Sequence, residues 1–145
     1  LRAARVPLVG ALTGPEDLVQ AFRSVAGRLV PGGHFIFDTN SVYALEQELF
    51  TQSNVPWAQA FRYDWRSSFD SVTHISEIRM QFSVRQVDGS LHEFNELHHE
   101  RAYSREEIHD ALRAADWEPL HTFDAYTTRP PRDQSERWFF VARRR

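Results

Sequence analysis

Phe22-Arg23-Ser24-Val25-Ala26-Gly27-Arg28-Leu29-Val30-Pro31-Gly32-Gly33-His34-Phe35-Ile36-Phe37-Asp38-Thr39-Asn40 decides the fold class. Leu18, Val19, Phe22, Val25, Ala26 and Leu29 recur at helical spacing, with Arg23 and Arg28 on the opposite face. Pro31-Gly32-Gly33 stops that helix. His34 to Phe37 is then a short apolar strand that ends at Asp38-Thr39-Asn40. A helix, a Pro-Gly-Gly break and a buried strand make half of a βαβ unit, the building block of an α/β fold with a doubly wound sheet.

Upstream, Val6 to Leu12 is a short apolar run that reads as a buried strand or its exit loop. Thr13, Pro15 and Glu16 read as the start of the first helix, with Thr13 as its cap. Downstream, Ser41 to Phe50 reads as a shorter helix capped by Ser41. The pattern then changes period. Ile78, Met80, Phe82 and Val84 alternate with Arg79, Gln81, Ser83 and Arg85, and Leu91 to Ala102 returns beyond the turn signal Asp88-Gly89. Phe61 to Phe69 is a third strand beside them. A two-residue Asp88-Gly89 loop sets Phe82 opposite Asn95 and Met80 opposite Leu97. A three-residue Asp88-Gly89-Ser90 loop sets Val84 opposite Phe94 and Met80 opposite His98, and brings His98 and Glu96 to the apolar face. The Val84–Phe94 pair favours the longer loop. Ser104-Arg105-Glu106-Glu107 is a capping box, followed by the buried stripe Ile108, Ala111, Leu112 and Ala115. Trp117 to Tyr126 and Arg137 to Ala142 are the closing strands.

Composition bounds the chemistry. The 145 residues suffice for one domain with a core, and a net charge of −3 carries no footprint for nucleic acid. No apolar run is long enough for a membrane span, and Leu1 to Leu12 does not read as a signal peptide, so the expected location is cytoplasmic. There is no cysteine, which excludes disulfides, thiolate metal sites and a cysteine nucleophile. All seventeen basic residues are arginine, which excludes lysine Schiff-base chemistry. Leu1 stands where a methionine would open a complete product, and the expectation is either a numbering that starts inside a longer product or the removal of an N-terminal portion.

Four segments in this order carry a resemblance: Phe22 to Asn40, the hairpin ending Glu96-Leu97-His98-His99-Glu100-Arg101-Ala102-Tyr103, Ser104 to Trp117, and Ser135 to Arg143. Together they resemble the C-terminal part of class I (Rossmann-like) S-adenosylmethionine (SAM)-dependent methyltransferases. The nearest flavour is the small-molecule group with an antiparallel insertion after the fifth strand, including the amino-sugar N,N-dimethyltransferases. The resemblance implies one partial methyltransferase domain over residues 1–145, with the insertion at 57–103. It implies a seven-stranded, mostly parallel sheet in the full enzyme, SAM as cofactor, and a small-molecule acceptor methylated on nitrogen or oxygen. It also implies a glycine-rich turn after a first strand, and an acidic residue for the ribose. The glycines before the hairpin are Gly10, Gly14, Gly27, Gly32 and Gly33, and none forms an acid-x-Gly-x-Gly pattern. The chain alone is therefore expected to bind SAM weakly or not at all. The rival reading is a truncated or degenerate α+β domain that binds a ligand or partner without catalysis. A sheet cut in this way is expected to leave an open edge, and so to make homo-oligomers or to pair with an N-terminal segment.

Ligands of open α/β sheets sit at the carboxyl ends of the strands. Asp38 and Asn40, just past Phe37, are thus candidates to bind the acceptor, or to cap the following helix. His98 is a candidate general base, or a strand histidine paired with Glu96 or Glu100. Arg101 and Tyr103 are candidates to hold substrate, or the hairpin's own acids. His92, His98 and His99 do not read as metal ligands, because adjacent strand residues face opposite ways. Trp57, Phe61, Tyr63 and Trp65 could line an acceptor pocket or bury one sheet face. Arg137 and Trp138 read as braces of the last strand.

Overall fold

An amphipathic helix must hide its apolar stripe, and α1 (Pro15–Ala26) hides Leu18, Phe22, Val25 and Ala26 against a sheet. The computed structural model describes residues 9–54 and 60–145. Val6 to Leu8 and Trp57 lie outside the described residues, and Val9–Ala11 is a single 3₁₀ turn. The cap of α1 is Gly14, with no side-chain bond, and not Thr13. Pro15 occupies the first helical position, where its missing N–H costs nothing, and so moves the boundary one residue along. The helix also ends earlier than its apolar stripe. Gly27 takes the C-cap, and Arg28 and Leu29 continue as i→i+3 bonds to Val25 and Ala26. Gly32, at φ +80°, then turns the chain into the sheet, in a conformation that costs a side-chain-bearing residue dearly.

That sheet has three strands in the order β1 (His34–Asn40), β7 (Arg137–Arg144), β6 (Trp117–Asp124). The central β7 runs antiparallel to both neighbours, from His34 opposite Arg143 to Asn40 opposite Arg137. Phe35, Phe37, Phe140 and Ala142 point to α1 and α3 (Arg105–Ala114) and form the core with Phe22, Ile108, Leu112 and Trp117. The rings interlock: Phe35 on Phe37 at 4.7 Å, Phe37 on Phe140 at 5.2 Å, Phe35 on Trp117 at 5.3 Å. Ile36, Asp38, Asn40, Arg137, Phe139 and Val141 alternate onto the other face.

The capping box forms as its sequence requires. Ser104 Oγ accepts from Glu107 N–H, and Glu107 Oε2 accepts from Ser104 N–H. Such a cap contributes about 1 kcal/mol. Burial alone would raise the Glu107 carboxyl. The Ser104 N–H and the Arg101 guanidinium outweigh it and hold the group below its ordinary value.

On α3, His109 reaches Thr122 Oγ1 of β6 at 2.9 Å and stands edge-on to Phe140. Burial, with Arg113 adding to it, pushes this imidazole below its ordinary value. The folded chain thus keeps His109 neutral where the unfolded chain has begun to protonate. The unfolded state then binds more protons, so stability falls as the pH drops from the usual imidazole range toward the lowered value. Urea midpoints at pH 7.5 and 5.5 are expected to fall further for this chain than for His109→Gln. Equal falls would show that His109 is not the group responsible.

Between α2 (Val42–Glu46) and α3 the chain forms a second, wholly antiparallel sheet in the order β2 (Gln52–Ser53), β3 (Phe61–Asp70), β4 (Ile75–Arg85), β5 (Leu91–Arg101). Neither expected hairpin register is adopted. Phe82 faces Phe94, Val84 faces His92, Met80 faces Glu96 and Ile78 faces His98. The loop has three residues, but they are Val87-Asp88-Gly89. Gln86 N–H closes it on the Ser90 carbonyl, and Gly89 takes the positive-φ position at +86°. The glycine fixes where the turn ends, and so shifts the register by two from the longer-loop alternative. A shift of two keeps every side chain on its face. Phe61, Tyr63, Trp65, Ile78, Met80, Phe82, Val84, Phe94, Glu96, His98 and Glu100 therefore share one face, while arginines and acids dominate the other. No helix of the described residues is long and apolar enough to cross a membrane.

Candidate functional site

Asp38 and Asn40 stand two apart on β1, so their side chains leave the same face. Neither caps α2. Ser41 does, accepting from Ala44 N–H at 3.0 Å, which releases both residues for other partners. Arg137 lies directly across from Asn40 on β7. Its guanidinium donates through Nη1 to Asp38 Oδ2 and through Nη2 to Asn40 Oδ1, the latter at 2.9 Å. The amide is thereby turned so that its nitrogen points onward. Asn40 Nδ2 donates to Glu100 Oε2 at 2.7 Å. Glu100 belongs to β5, so the chain Asp38–Arg137–Asn40–Glu100 ties the two sheets together at the carboxyl end of β1. Gly10 completes it from the first turn: a Cβ there would stand 2.9 Å from Glu100 Oε2. The Glu100 carboxylate makes no other hydrogen bond among the described residues.

A cavity of about 420 Å³ opens beside this chain, against Asn40, Arg137, Leu49, Phe50, Asp124 and Tyr126. It lies at the carboxyl ends of β1 and β6, where an α/β sheet places its ligands. The Ser135 hydroxyl, with Arg132, holds the Asp124 carboxyl below its ordinary value. Arg132 reaches Asp124 Oδ2 through Nε at 3.1 Å and Nη2 at 2.9 Å.

The other sequence candidates lie elsewhere. His98, half-exposed on β5, sits 2.9 Å from Glu96 Oε2. It shares Glu100's face two residues away, about 7 Å along the strand. His99 turns to the opposite face and meets Glu77 at 3.3 Å. Among the described residues no cluster of three His, Cys, Asp or Glu is arranged to hold a metal. Arg101 binds Glu107 and the Thr73 carbonyl and lies over the Tyr103 ring, so it braces β5 to the start of α3. Tyr103 is a core residue and not an open substrate contact. It is 1% exposed, its hydroxyl donates to the Leu12 carbonyl, and burial pushes its phenol up to about 12. Sequence reasoning singled out Asp38 and Asn40 but gave Glu100 and Arg137 only bracing or pairing roles. The alternation of Asp38 and Asn40 is a signal for a shared cross-strand cation. The reach of Glu100 to Asn40 had none.

No family model matches the chain. Two bacterial proteins, each bearing the name "Putative methyltransferase", are similar to it: one from Geobacillus sp. (strain WCH70), 28% identical over 133 residues, and YqeM from Bacillus subtilis (strain 168), 30% identical over 132 residues. In each case the match takes in 89% of this chain and 52% of the relative, so the chain spans about half the length of the curated relatives it matches. Among solved structures, a SAM-dependent methyltransferase from Clostridium acetobutylicum ATCC 824 superposes with a TM-score of 0.82 at 28% identity, over 94% of this chain and 54% of that one. The chain resembles the C-terminal part of a SAM-dependent methyltransferase in sequence and in fold.

Proposed function

We propose that this chain, similar as it is to the C-terminal part of SAM-dependent methyltransferases, is the acceptor-holding part of an enzyme that methylates nitrogen or oxygen of a small molecule. The observation that carries the reading is the Asp38–Arg137–Asn40–Glu100 chain beside an open cavity at the carboxyl end of β1. Methyl transfer needs the acceptor atom held in line and, for an amine or hydroxyl, a group to take its proton. In this reading Glu100, whose Oε2 is fixed by Asn40 of the cavity wall, supplies the carboxylate that takes the proton. Asp38 and Arg137 hold the Asn40 amide in the orientation that this requires. Glu100 is better placed for the proton than His98, which is engaged with Glu96. In this reading the four-stranded sheet is an insertion that delivers Glu100.

The residues present do not fit the methionine end of SAM, because no acid-x-Gly-x-Gly turn occurs. The cofactor would be held by a further segment, as the greater length of the relatives suggests. The outer face of the three-stranded sheet suits such a segment. Ile36, Phe123, Phe139, Val141 and Tyr126 line an apolar hollow of about 870 Å³ there, and Ile36 is 62% exposed. One observation favours the non-catalytic α+β reading: Asp38, Arg137 and Asn40 satisfy one another, as a purely structural brace would.

Two measurements separate these. Titration of SAM into the purified chain is expected to give no binding in the micromolar range, about −8 kcal/mol. Micromolar affinity would place a cofactor site within these residues and overturn the division of labour. In a polypeptide carrying a glycine-rich half ahead of this chain, Glu100→Gln is expected to lower kcat/KM for methylation of an amine or alcohol roughly 100-fold. An unchanged rate would leave the network a brace.

A further inference from the structure

Ser76 on β4 is fully buried, and its hydroxyl has no hydrogen-bond partner among the described residues. A buried hydroxyl left in this state costs the fold the full desolvation of the group. The ladder decides what lies beside it. Phe69 of β3 stands on one side of Ser76 and Glu100 of β5 on the other, and all three side chains share the face that carries Ile78 and Met80. Phe69 offers neither a donor nor an acceptor. Ala102 N–H donates to the His74 carbonyl, so the alternation of an antiparallel ladder makes Ser76 and Glu100 the next hydrogen-bonded pair, with Cα atoms about 5.5 Å apart. Side chains of directly opposite residues meet, so Glu100 is the polar group that the register brings to Ser76.

Glu100 already has one partner, and that partner is restricted. Asn40 Oδ1 accepts from Arg137 Nη2, so the amide presents Nδ2 to Glu100, and Nδ2 can only donate. A donor suits the ionised carboxylate. A carboxyl that has taken a proton carries an O–H, and that O–H needs a hydrogen-bond acceptor, which a serine hydroxyl is. We propose that Ser76 is a positioning residue for Glu100: its Oγ accepts the Glu100 O–H once that carboxyl has taken the proton of the methyl acceptor. The proposal rests on the reading of Glu100 as the base. The proton passes from the nitrogen or oxygen of the methyl acceptor to Glu100 and stays there, while Ser76 gains a hydrogen bond and gives up no atom. The Ser76 hydroxyl is unsatisfied before the transfer and satisfied after it. An interaction that forms as the proton arrives assists that step, where one already made beforehand would not.

Glutamine is a neutral isostere of the protonated carboxyl. Its oxygen accepts from Asn40, and its amide nitrogen donates as the O–H would. Glu100→Gln therefore displays the second state in this chain at neutral pH, with no methyl acceptor and no cofactor. In urea denaturation of the parent chain, Ser76→Ala is expected to leave the folding constant unchanged or to raise it, since no bond is lost and an unpartnered hydroxyl is removed. In the Glu100→Gln background the same substitution is expected to lower the folding constant roughly fivefold, the effect of one lost hydrogen bond. A packing role would give the same change in both backgrounds, so equal changes, or a loss in the parent, would overturn the proposal. A crystal structure of Glu100→Gln needs no change at Ser76. It is expected to place the glutamine amide nitrogen within hydrogen-bond distance of Ser76 Oγ, and a nitrogen turned away would overturn the proposal as well. None of these readouts involves methyl transfer. Their failure removes Ser76 and leaves Glu100 as the base, whereas an unchanged methylation rate in Glu100→Gln removes the base and with it the state that Ser76 would serve.

Discussion

Trp117→Ala is expected to destabilise the chain by about 4 kcal/mol, the range for removing a fully buried tryptophan. Trp117 is 0% exposed and opens β6 at the point where α3 turns back into the sheet. Its ring stacks at a tilt on Phe35, and its Nε1 donates to the Phe22 carbonyl at 3.0 Å, so one side chain binds α1, β1 and β6 together. Truncation leaves a cavity and removes the bond from β6 to the α1 backbone. A domain of this size has about 5–15 kcal/mol of stability, so the variant would lose a large share of it. Urea denaturation followed by circular dichroism measures the loss. Trp117→Phe is expected to cost distinctly less, since it keeps most of the packing and gives up only the indole volume and its hydrogen bond. A loss below about 1.5 kcal/mol for the alanine variant would mean that α1 and the sheet are held together elsewhere.

Arg137→Met is expected to cost about 2 kcal/mol. Removing one partner of a fully buried ion pair costs about 3–5 kcal/mol, and the figure is reduced here because both side chains are one-third exposed, at 32% and 33%. The substitution keeps the aliphatic stem on β7 and strands the Asp38 carboxylate beside Asn40. It also frees the amide to rotate, so the 2.7 Å bond to Glu100 is no longer enforced. Asp38→Asn placed in the Arg137→Met background is expected to recover about half of the loss, because the stranded charge is then gone. Strictly additive effects would show that Asp38 and Arg137 act independently. In a polypeptide competent for methyl transfer, the same Arg137→Met change should lower kcat/KM, since it frees the Asn40 amide that orients Glu100 and alters a wall of the cavity.

Much of this architecture is local and therefore legible. Ser104 and Glu107 stand three residues apart, and their reciprocal bonds need nothing beyond one helical turn. The stripe Ile108, Ala111, Leu112 and Ala115 follows from helical period alone, and all four are buried. The alternation at Ile78 to Val84 specifies a strand with two unlike faces, and Asp88-Gly89 specifies a turn. Asp38 and Asn40 could be placed at the carboxyl end of a strand because the helix, the Pro-Gly-Gly break and the apolar run precede them.

The site was not legible in the same way. Asn40 meets Glu100 across 60 residues and Arg137 across 97. Nothing in the alternation of β1 says which distant strand lies beside it. Once β7 does, in the register Asn40 opposite Arg137, a residue that reads as a brace becomes the cation between two site side chains. The hairpin shows the same limit on a smaller scale. The parity of its register, and so the face that carries Glu100, was contained in the longer-loop alternative. The pairing itself depended on which residue the turn placed at positive φ, and Gly89 took that position one residue later in the loop than the expected register assumed. Tyr103 is the converse case. Its polar hydroxyl after a strand reads as a contact for substrate, yet the fold carries the whole ring into the core and gives the hydroxyl the Leu12 carbonyl. By itself the sequence determined the helices, the strands, the turn and the strand-end position of two site residues, since each depends on neighbours within a few positions. Only the tertiary structure decided which acids and arginines meet, because that depends on strand order and register, which are set by packing between segments far apart in the chain.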